Sequence, residues 1–178
     1  MTDRALTVAT IGHSTLGLDE FIEAIRAQQV HRLIDVRTIP RSRHNPQFNR
    51  DTLPSSLVGV GIEYEHVPGL GGLRRPVAGS SNTGWRNASF RGFADYMQTP
   101  SFAEAFDHLL RRAQEVQLCL MCAEAVPWRC HRSLIADALV ARGVRVRHLY
   151  GATRASAHEI HPMARLEQGR VVYPARTA

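Results

Sequence analysis

Leu118-Cys119-Leu120-Met121-Cys122-Ala123-Glu124-Ala125-Val126-Pro127-Trp128-Arg129-Cys130-His131-Arg132 runs from a short apolar stretch into a polar cluster. Beyond it, Leu134, Ile135, Ala138 and Leu139 recur at helical spacing until Gly143 stops the pattern. Leu118 to Met121 has the length of a strand, so the cluster of two thiols, a carboxylate, an imidazole and two guanidiniums sits in a strand-to-helix turn. In an open parallel sheet such turns gather at the carboxyl ends of the strands, where the next helix offers backbone N–H groups to an anion.

Outward from this turn the chain alternates. Thr7 to Ile11 reads as a first strand, Asp19 to Gln28 as a helix with Phe21, Ile22 and Ile25 inward, and Arg32 to Val36 as a second strand. Ile62 to Val67 alternates apolar and polar residues like a half-covered or edge strand, and Val144 to Tyr150 supplies a fifth. Phe102, Phe106, Leu109, Leu110 and Ala113 form one apolar stripe, begun either by a capping box of Ser101 with Glu104 or by Thr99 with Pro100. Phe90, Phe93 and Met97 read as one face of a short helix. This rhythm predicts one α/β domain over residues 1–178, a mostly parallel sheet of about five strands with helices on both faces. Residues 68–88, polar and glycine-bearing after Pro68-Gly69-Leu70-Gly71-Gly72, read as a segment suited to a lid, and residues 152–178 as a C-terminal extension.

The chain has 178 residues, enough for a substantial core without staples, and no apolar run approaches the roughly 20 residues that span a bilayer. Met1-Thr2-Asp3-Arg4 leads straight to a strand without a segment of signal-peptide type. Three cysteines, all between Cys119 and Cys130, are not a secreted disulfide framework. A cytoplasmic protein with reduced thiols is the expectation, and no membrane contact is foreseen. The net charge is +6, and every basic residue except histidine is arginine. A GC-rich genome accounts for the missing lysine. Arginines in loops, namely Arg37, Arg41, Arg43, Arg74, Arg75, Arg86 and Arg91, remain suited to bidentate capture of phosphate or carboxylate. Arg111 and Arg112, on a helix face, read as solvated.

Thr10-Ile11-Gly12-His13-Ser14, Asp35-Val36-Arg37 followed by Pro40 and Ser42, Pro46-Gln47-Phe48-Asn49, Tyr64, Leu70-Gly71-Gly72, Phe90-Arg91-Gly92-Phe93, Cys122-Ala123-Glu124 and Cys130-His131-Arg132 occur in an order that resembles the domain-of-unknown-function 488 family. The resemblance covers nearly the whole chain. It implies a small α/β domain and no particular activity.

Function therefore has to be read from residue chemistry. If the first, second and fourth strands are parallel neighbours, their trailing side chains share one crevice. Cys122, Glu124, His131 and Asp35 are the candidate catalytic residues; His13, Ser14, Arg37, Ser42, Tyr64, Gly71, Gly72 and Arg132 are the candidate ligand-binding ones. In this reading an enzyme or sensor takes an anionic small molecule or nucleotide: Cys122 is the nucleophile, Glu124 and His131 handle protons, Asp35 orients a basic neighbour, and Arg37 and Arg132 clamp the anion. The turn is not that of a cysteine phosphatase, because Trp128 stands where the arginine would fall. A second reading makes Cys122, Cys130 and His131 the ligands of zinc or iron, with an open position. His158 and His161 lack zinc-protease spacing. A third takes the basic charge, with Trp85, Phe90, Phe93 and Tyr96 near Arg86 and Arg91, as a nucleic-acid surface. The plainest reading leaves the cluster as a brace for the turn and Cys119 as a small core residue.

Overall fold

Each strand-length apolar run is followed by a chain reversal and an amphipathic helix, and in the computed structural model these fold into a three-layer α/β domain. The structure describes residues 5–176; Met1-Thr2-Asp3-Arg4 lie outside them. The strands are β1 (Thr7–Gly12), β2 (Arg32–Asp35), β3 (Glu63–His66), β4 (Leu118–Cys122), β5 (Arg145–Leu149), β6 (Ala155–Ala157), β7 (Arg165–Glu167) and β8 (Arg170–Val172). The helices are α1 (Leu18–Ala27), α2 (Leu53–Val58), α3 (Ala88–Tyr96), α4 (Pro100–Glu115) and α5 (Arg132–Ala141). The main sheet has six strands in the order β3-β2-β4-β1-β5-β6. The first five are parallel, and β6 joins antiparallel to β5. The sixth strand and the β7–β8 hairpin escaped the sequence reading because three-residue strands carry too little alternation to register. The alternating β3 is indeed an edge.

The pleat sorts β1 and β4 onto two cores. Val8, Leu118, Leu120 and Cys122 face α3, α4 and α5, whereas Ala9, Ile11, Cys119 and Met121 face α1 and α2. Phe21, Ala24 and Ile25 bury one face of α1, whose acidic first turn and basic last turn suit the helix dipole. Helix α4 starts from Thr99, whose side chain accepts from the Phe102 N–H, with Pro100 at the first position. Ser101 lies inside the helix, so the Thr99 start prevails over the capping box. Helix α2 was not marked by periodicity; Leu53 and Leu57 anchor its short span.

The segment read as suited to a lid is tied down. Buried Asp95 on α3 accepts from Val77 N–H, the Ser80 hydroxyl and the Asn82 amide. Arg74 donates to the carbonyls of Pro68 and Gly71 and lies over the Tyr96 ring, 3.7 Å from its centroid. Gly92 makes this docking feasible, since a Cβ there would meet the Arg74 carbonyl at 2.3 Å.

The C-terminal extension completes the α5 side of the core. Tyr173 is fully buried and donates to Asp137 Oδ2 at 2.7 Å, while His158 Nε2 lies 2.7 Å from Asp137 Oδ1. With Nε2–H donated to the carboxylate, His158 Nδ1 accepts from His148 Nε2 at 2.8 Å, and His148 Nδ1 accepts from the Thr10 hydroxyl at 2.6 Å. Burial beside His158 pushes His148 down to about 3, so it stays neutral. Tyr173→Phe removes one donor from a buried carboxylate. It should lower stability by about 1–3 kcal/mol, and melting temperature by roughly 2–4 °C per kcal/mol, in thermal unfolding followed by circular dichroism.

Candidate functional site

Adjacent strands β1 and β4 send their connections to opposite faces, β1 to α1 and β4 to α5, which leaves a crevice at their carboxyl ends. The two connections meet above β1. His13 N–H donates to the Cys122 carbonyl and Ser14 N–H to the Ala123 carbonyl, both at 2.9 Å. A Cβ on Gly12 would sit 1.6 Å from the Glu124 carbonyl oxygen, so only glycine lets the 123–131 turn fold across the strand end. The crevice has a volume of about 730 Å³ and takes in His13, Ser14, Arg37, Ser42, Gly72, Cys122, Glu124, Cys130 and His131. A cavity of about 740 Å³ at the amino ends of β1 and β5 contains no thiol, and the reactive groups converge on the first.

One wall is an aspartate-held arginine. Asp35 is fully buried; Oδ1 accepts from Arg37 N–H and Nε, and Oδ2 from Arg37 Nη2 and the Tyr64 hydroxyl. Arg37 also donates from Nη2 to the Phe48 carbonyl and from Nη1 to His13 Nε2. Four of its five side-chain N–H groups are thereby placed, and the remaining one belongs to Nη1 at the crevice wall. His13 donates from Nδ1 to the Ser14 carbonyl and stacks on Phe48. Burial, helped by the Arg37 charge, lowers its pKa and keeps it a neutral acceptor for Arg37. Burial and the Asp35 contact raise that of Tyr64, which stays a donor. Asp35 and Tyr64 lie behind Arg37 and fix its orientation.

The opposite wall holds the thiols. Cys122 and Cys130 are both buried, with sulfurs 2.9 Å apart, and Cys130 donates to Cys122. Below the turn Arg132 is only 1 % exposed; Nη2 donates to the carbonyls of Glu124 and Ala125, and among the described residues no carboxylate contacts it and Nε and Nη1 have no partner. Burial pushes the Cys122 thiol up, but the Cys130 S–H and the Arg132 charge outweigh it and hold Cys122 below the usual thiol range. Cys122 is therefore the thiol of the pair that ionises first, while the contact with Cys122 and burial raise Cys130. Cys119 is fully buried on the other face, and burial raises its pKa.

His131 is pinned by tautomer. Its Nε2–H points at the carbonyls of Val36 and Leu70, 3.1 and 3.0 Å away, so Nδ1 carries the lone pair and lies 3.5 Å from Cys130 Sγ. Burial, more than the nearby arginine charges, brings its pKa down to about 4. Gly72 permits this packing, because a Cβ there would meet the ring at 2.6 Å.

The sequence-derived set is therefore divided by depth. His13, Ser14, Arg37, Ser42, Gly72, Cys122, Glu124 and His131 reach the crevice; Asp35, Tyr64, Gly71 and Arg132 stand behind it. Glu124 is exposed, and its carboxylate has no hydrogen-bond partner among the described residues. Gly71 packs against Thr38, and Ser42 accepts from the Asn45 N–H to shape its loop. Arg132 is not a second clamp beside Arg37, since its guanidinium serves loop carbonyls. Nor is the start of α5 an open anion cradle: Arg132 N–H points at Cys130 Sγ, Ser133 N–H at the Cys130 carbonyl and Leu134 N–H at that of His131. Exposed Arg41 and Arg129 line the crevice instead. Both were visible as loop arginines, but nothing local told them from their neighbours. The crevice also reaches Asn45, in the loop after β2, and Asn87, Ser89 and Phe90, brought in by α3. Cys122, Cys130 and His131 do not assemble as a metal-ligand set, and among the described residues no group of three or more His, Cys, Asp or Glu side chains does. Phe93 is fully buried against Phe102 and His131, and Trp85 stacks on Phe90, so these rings form no open stacking platform.

The family model described as domain of unknown function DUF488 matches residues 17–139 of the 178. No curated protein and no solved structure matches the chain. Among the described residues no helix is long and apolar enough to cross a membrane.

Two measurements probe this geometry. Alkylation of the native protein, mapped by mass spectrometry, should modify Cys122 first and Cys119 only on unfolding; early labelling of Cys119 would contradict the assigned facing. Stability should also fall on acidification. His131 titrates near 4 in the fold and near 6.5 when unfolded, so between those values the unfolded chain binds the extra proton. Its contribution is complete above about pH 6.5 and is lost towards pH 4, at up to about 1.4 kcal/mol per pH unit. Denaturant titrations of His131→Gln, which keeps the donor to Val36 and Leu70, should show a correspondingly shallower slope.

Proposed function

The chain belongs to the DUF488 family, whose description assigns no function, and from the site we propose an enzyme that binds an anionic small molecule, phosphorylated or nucleotide-like, and attacks it with Cys122. The observation that carries this reading is the buried Arg132 guanidinium, without a carboxylate partner among the described residues, beside a thiol held below its usual range at the floor of a crevice rimmed by arginines. A buried cation of this kind is costly unless an anion balances it, and a resident thiolate is the nearest candidate. The thiolate is the nucleophilic form.

In this reading Arg37, Arg41 and Arg129 supply charge to the ligand, with Arg37 pre-oriented by Asp35 and Tyr64. Asn45, Asn87 and Ser89 supply polar contacts. Exposed Glu124 is the group free to exchange protons with solvent at the crevice mouth, whereas neutral His131 handles the proton of Cys130. A reducing, cytoplasmic setting keeps the thiols available. Zinc or iron on Cys122, Cys130 and His131, and a nucleic-acid ligand, are weaker readings: for the first, the Nε2–H of His131 is committed to backbone carbonyls and its Nδ1 faces Cys130, and for the second Trp85 and Phe90 stack on each other while Phe93 is buried in the core.

Anion binding is tested by thermal shift with inorganic phosphate, sulfate and nucleoside phosphates at low salt. Melting temperature should rise once the anion exceeds its dissociation constant. The double variant Arg41→Ala/Arg129→Ala should lose that rise, and Arg112→Ala, whose side chain on α4 pairs with Glu65 and Glu115 away from the crevice, should keep it. Equal loss in both, or no rise with any anion, would refute the proposed ligand class.

A further inference from the structure

A nucleophilic Cys122 needs no second thiol, yet Cys130 is buried in sulfur contact with it, lines the same crevice, and has an acceptor of its own in His131 Nδ1 at 3.5 Å. We propose that Cys122 and Cys130 are a redox-active dithiol that reduces small anionic disulfides, with Cys122 as the attacking and Cys130 as the resolving sulfur. The proposal takes from the preceding section only the nucleophilic Cys122 and the cationic rim, and it names the substrate class for them.

Three features assign the roles. The sulfurs, 2.9 Å apart, need less than an ångström of approach to reach the bond length of a disulfide, about 2.05 Å. The positions are unequal: Cys122 ends β4 facing the crevice over Arg132, while Cys130 donates its S–H to Cys122 and so leaves Cys122 the sulfur ready to attack. The base is fixed as well, because the Val36 and Leu70 carbonyls hold His131 in the tautomer whose lone pair faces Cys130. Cys119, packed on the opposite face of the sheet, is no competitor for either role.

The chemistry balances. The Cys122 thiolate attacks one sulfur of the small disulfide; a mixed disulfide forms and the first small thiolate leaves. Cys130 then gives its proton to His131 Nδ1 and attacks Cys122 Sγ; the Cys122–Cys130 bond forms and the mixed disulfide breaks. The second small thiolate departs and takes up the proton. The protein dithiol loses two electrons and the small disulfide gains them. Carboxylates on the substrate would meet Arg41, Arg129 and the free N–H of Arg37, so negatively charged disulfides are preferred over cationic ones.

The test mixes reduced protein with glutathione disulfide, or with cystamine as its cationic counterpart, and follows acid-quenched samples by intact mass and peptide mapping. Expected with glutathione disulfide is loss of two hydrogens with a Cys122–Cys130 linkage and no adduct, reversed by dithiothreitol, and at least tenfold faster than with cystamine at low salt. Cys130→Ser should stop at a glutathionyl adduct on Cys122. Cys119→Ser should behave as the unsubstituted protein. His131→Gln should form the adduct normally and resolve it about tenfold more slowly. Persistent adduct on Cys122 of the unsubstituted protein with Cys130 still alkylatable, or no oxidation at all, overturns the dithiol; equal rates for the two disulfides overturn the anionic preference. Anion-dependent stabilisation is measured without any redox reagent, so failure of the anion-binding reading shows separately from failure of the dithiol.

Discussion

Arg132 carries a charge into the interior with no carboxylate among the described residues to meet it, and the surrounding groups are arranged around that fact. Its Nη2 gathers the Glu124 and Ala125 carbonyls, which ties the 123–131 turn to the first residue of α5. Its field acts on the neighbouring titratable groups in one direction: it opposes protons on His131 and His148 and favours a thiolate on Cys122. Burial alone would neutralise all of these groups, so the cation selects which of them keeps a charge. The outcome is a site whose buried histidines His131 and His148 are neutral and whose Cys122 ionises more readily than an ordinary thiol.

Two buried arginines thus do different work within one crevice. Arg37 is neutralised by Asp35 in a bidentate pair, so its guanidinium is a rigid donor with one N–H left for the crevice. Removing Asp35 would leave that cation unpaired, and such a loss costs more than the pair itself contributes. Arg132 has carbonyl dipoles for partners and keeps its charge unspent. The first orients; the second polarises. Neither role would survive an exchange for lysine, whose ammonium lacks the planar fork that meets a carboxylate on two sides or two carbonyls at once.

The hydrogen-bonded chain Thr10–His148–His158–Asp137–Tyr173 shows how the C-terminal segment supports the site from behind. Asp137 on α5 fixes His158, which fixes His148, which meets the β1 hydroxyl. Helix α5 is held against β1 by hydrogen bonds as well as by Leu134, Ile135 and Leu139, and its first turn carries Cys130, His131 and Arg132 into place. Displacement of the segment after β5 would therefore reach the thiols through α5, although none of its side chains lines the crevice.

Local pattern was enough for the sheet and for the location of the site. Apolar runs at Thr7, Arg32, Leu118 and Val144, separated by helical stripes, dictate parallel strands, and parallel strands collect Gly12, His13, Asp35, Arg37, Cys122 and Glu124 at one end because every crossover returns the chain in the same direction. The alternation of β4 likewise set Cys119 and Cys122 on opposite faces. Depth was not legible. Arg37, Arg41, Arg129 and Arg132 are alike in sequence, yet one is pinned by Asp35, two are exposed and one is sealed beneath a loop. Those fates are fixed by the β2–β4 register, by Gly12 admitting the Glu124 carbonyl, and by α5 packing on the sheet. The 2.9 Å approach of Cys122 to Cys130 belongs to the same class: eight residues apart on an irregular turn, their sulfurs meet only because the turn is pinned at both ends by contacts with distant strands. Periodicity reports which face a residue takes; burial, charge partner and sulfur contact are properties of neighbours that tertiary packing alone brings together.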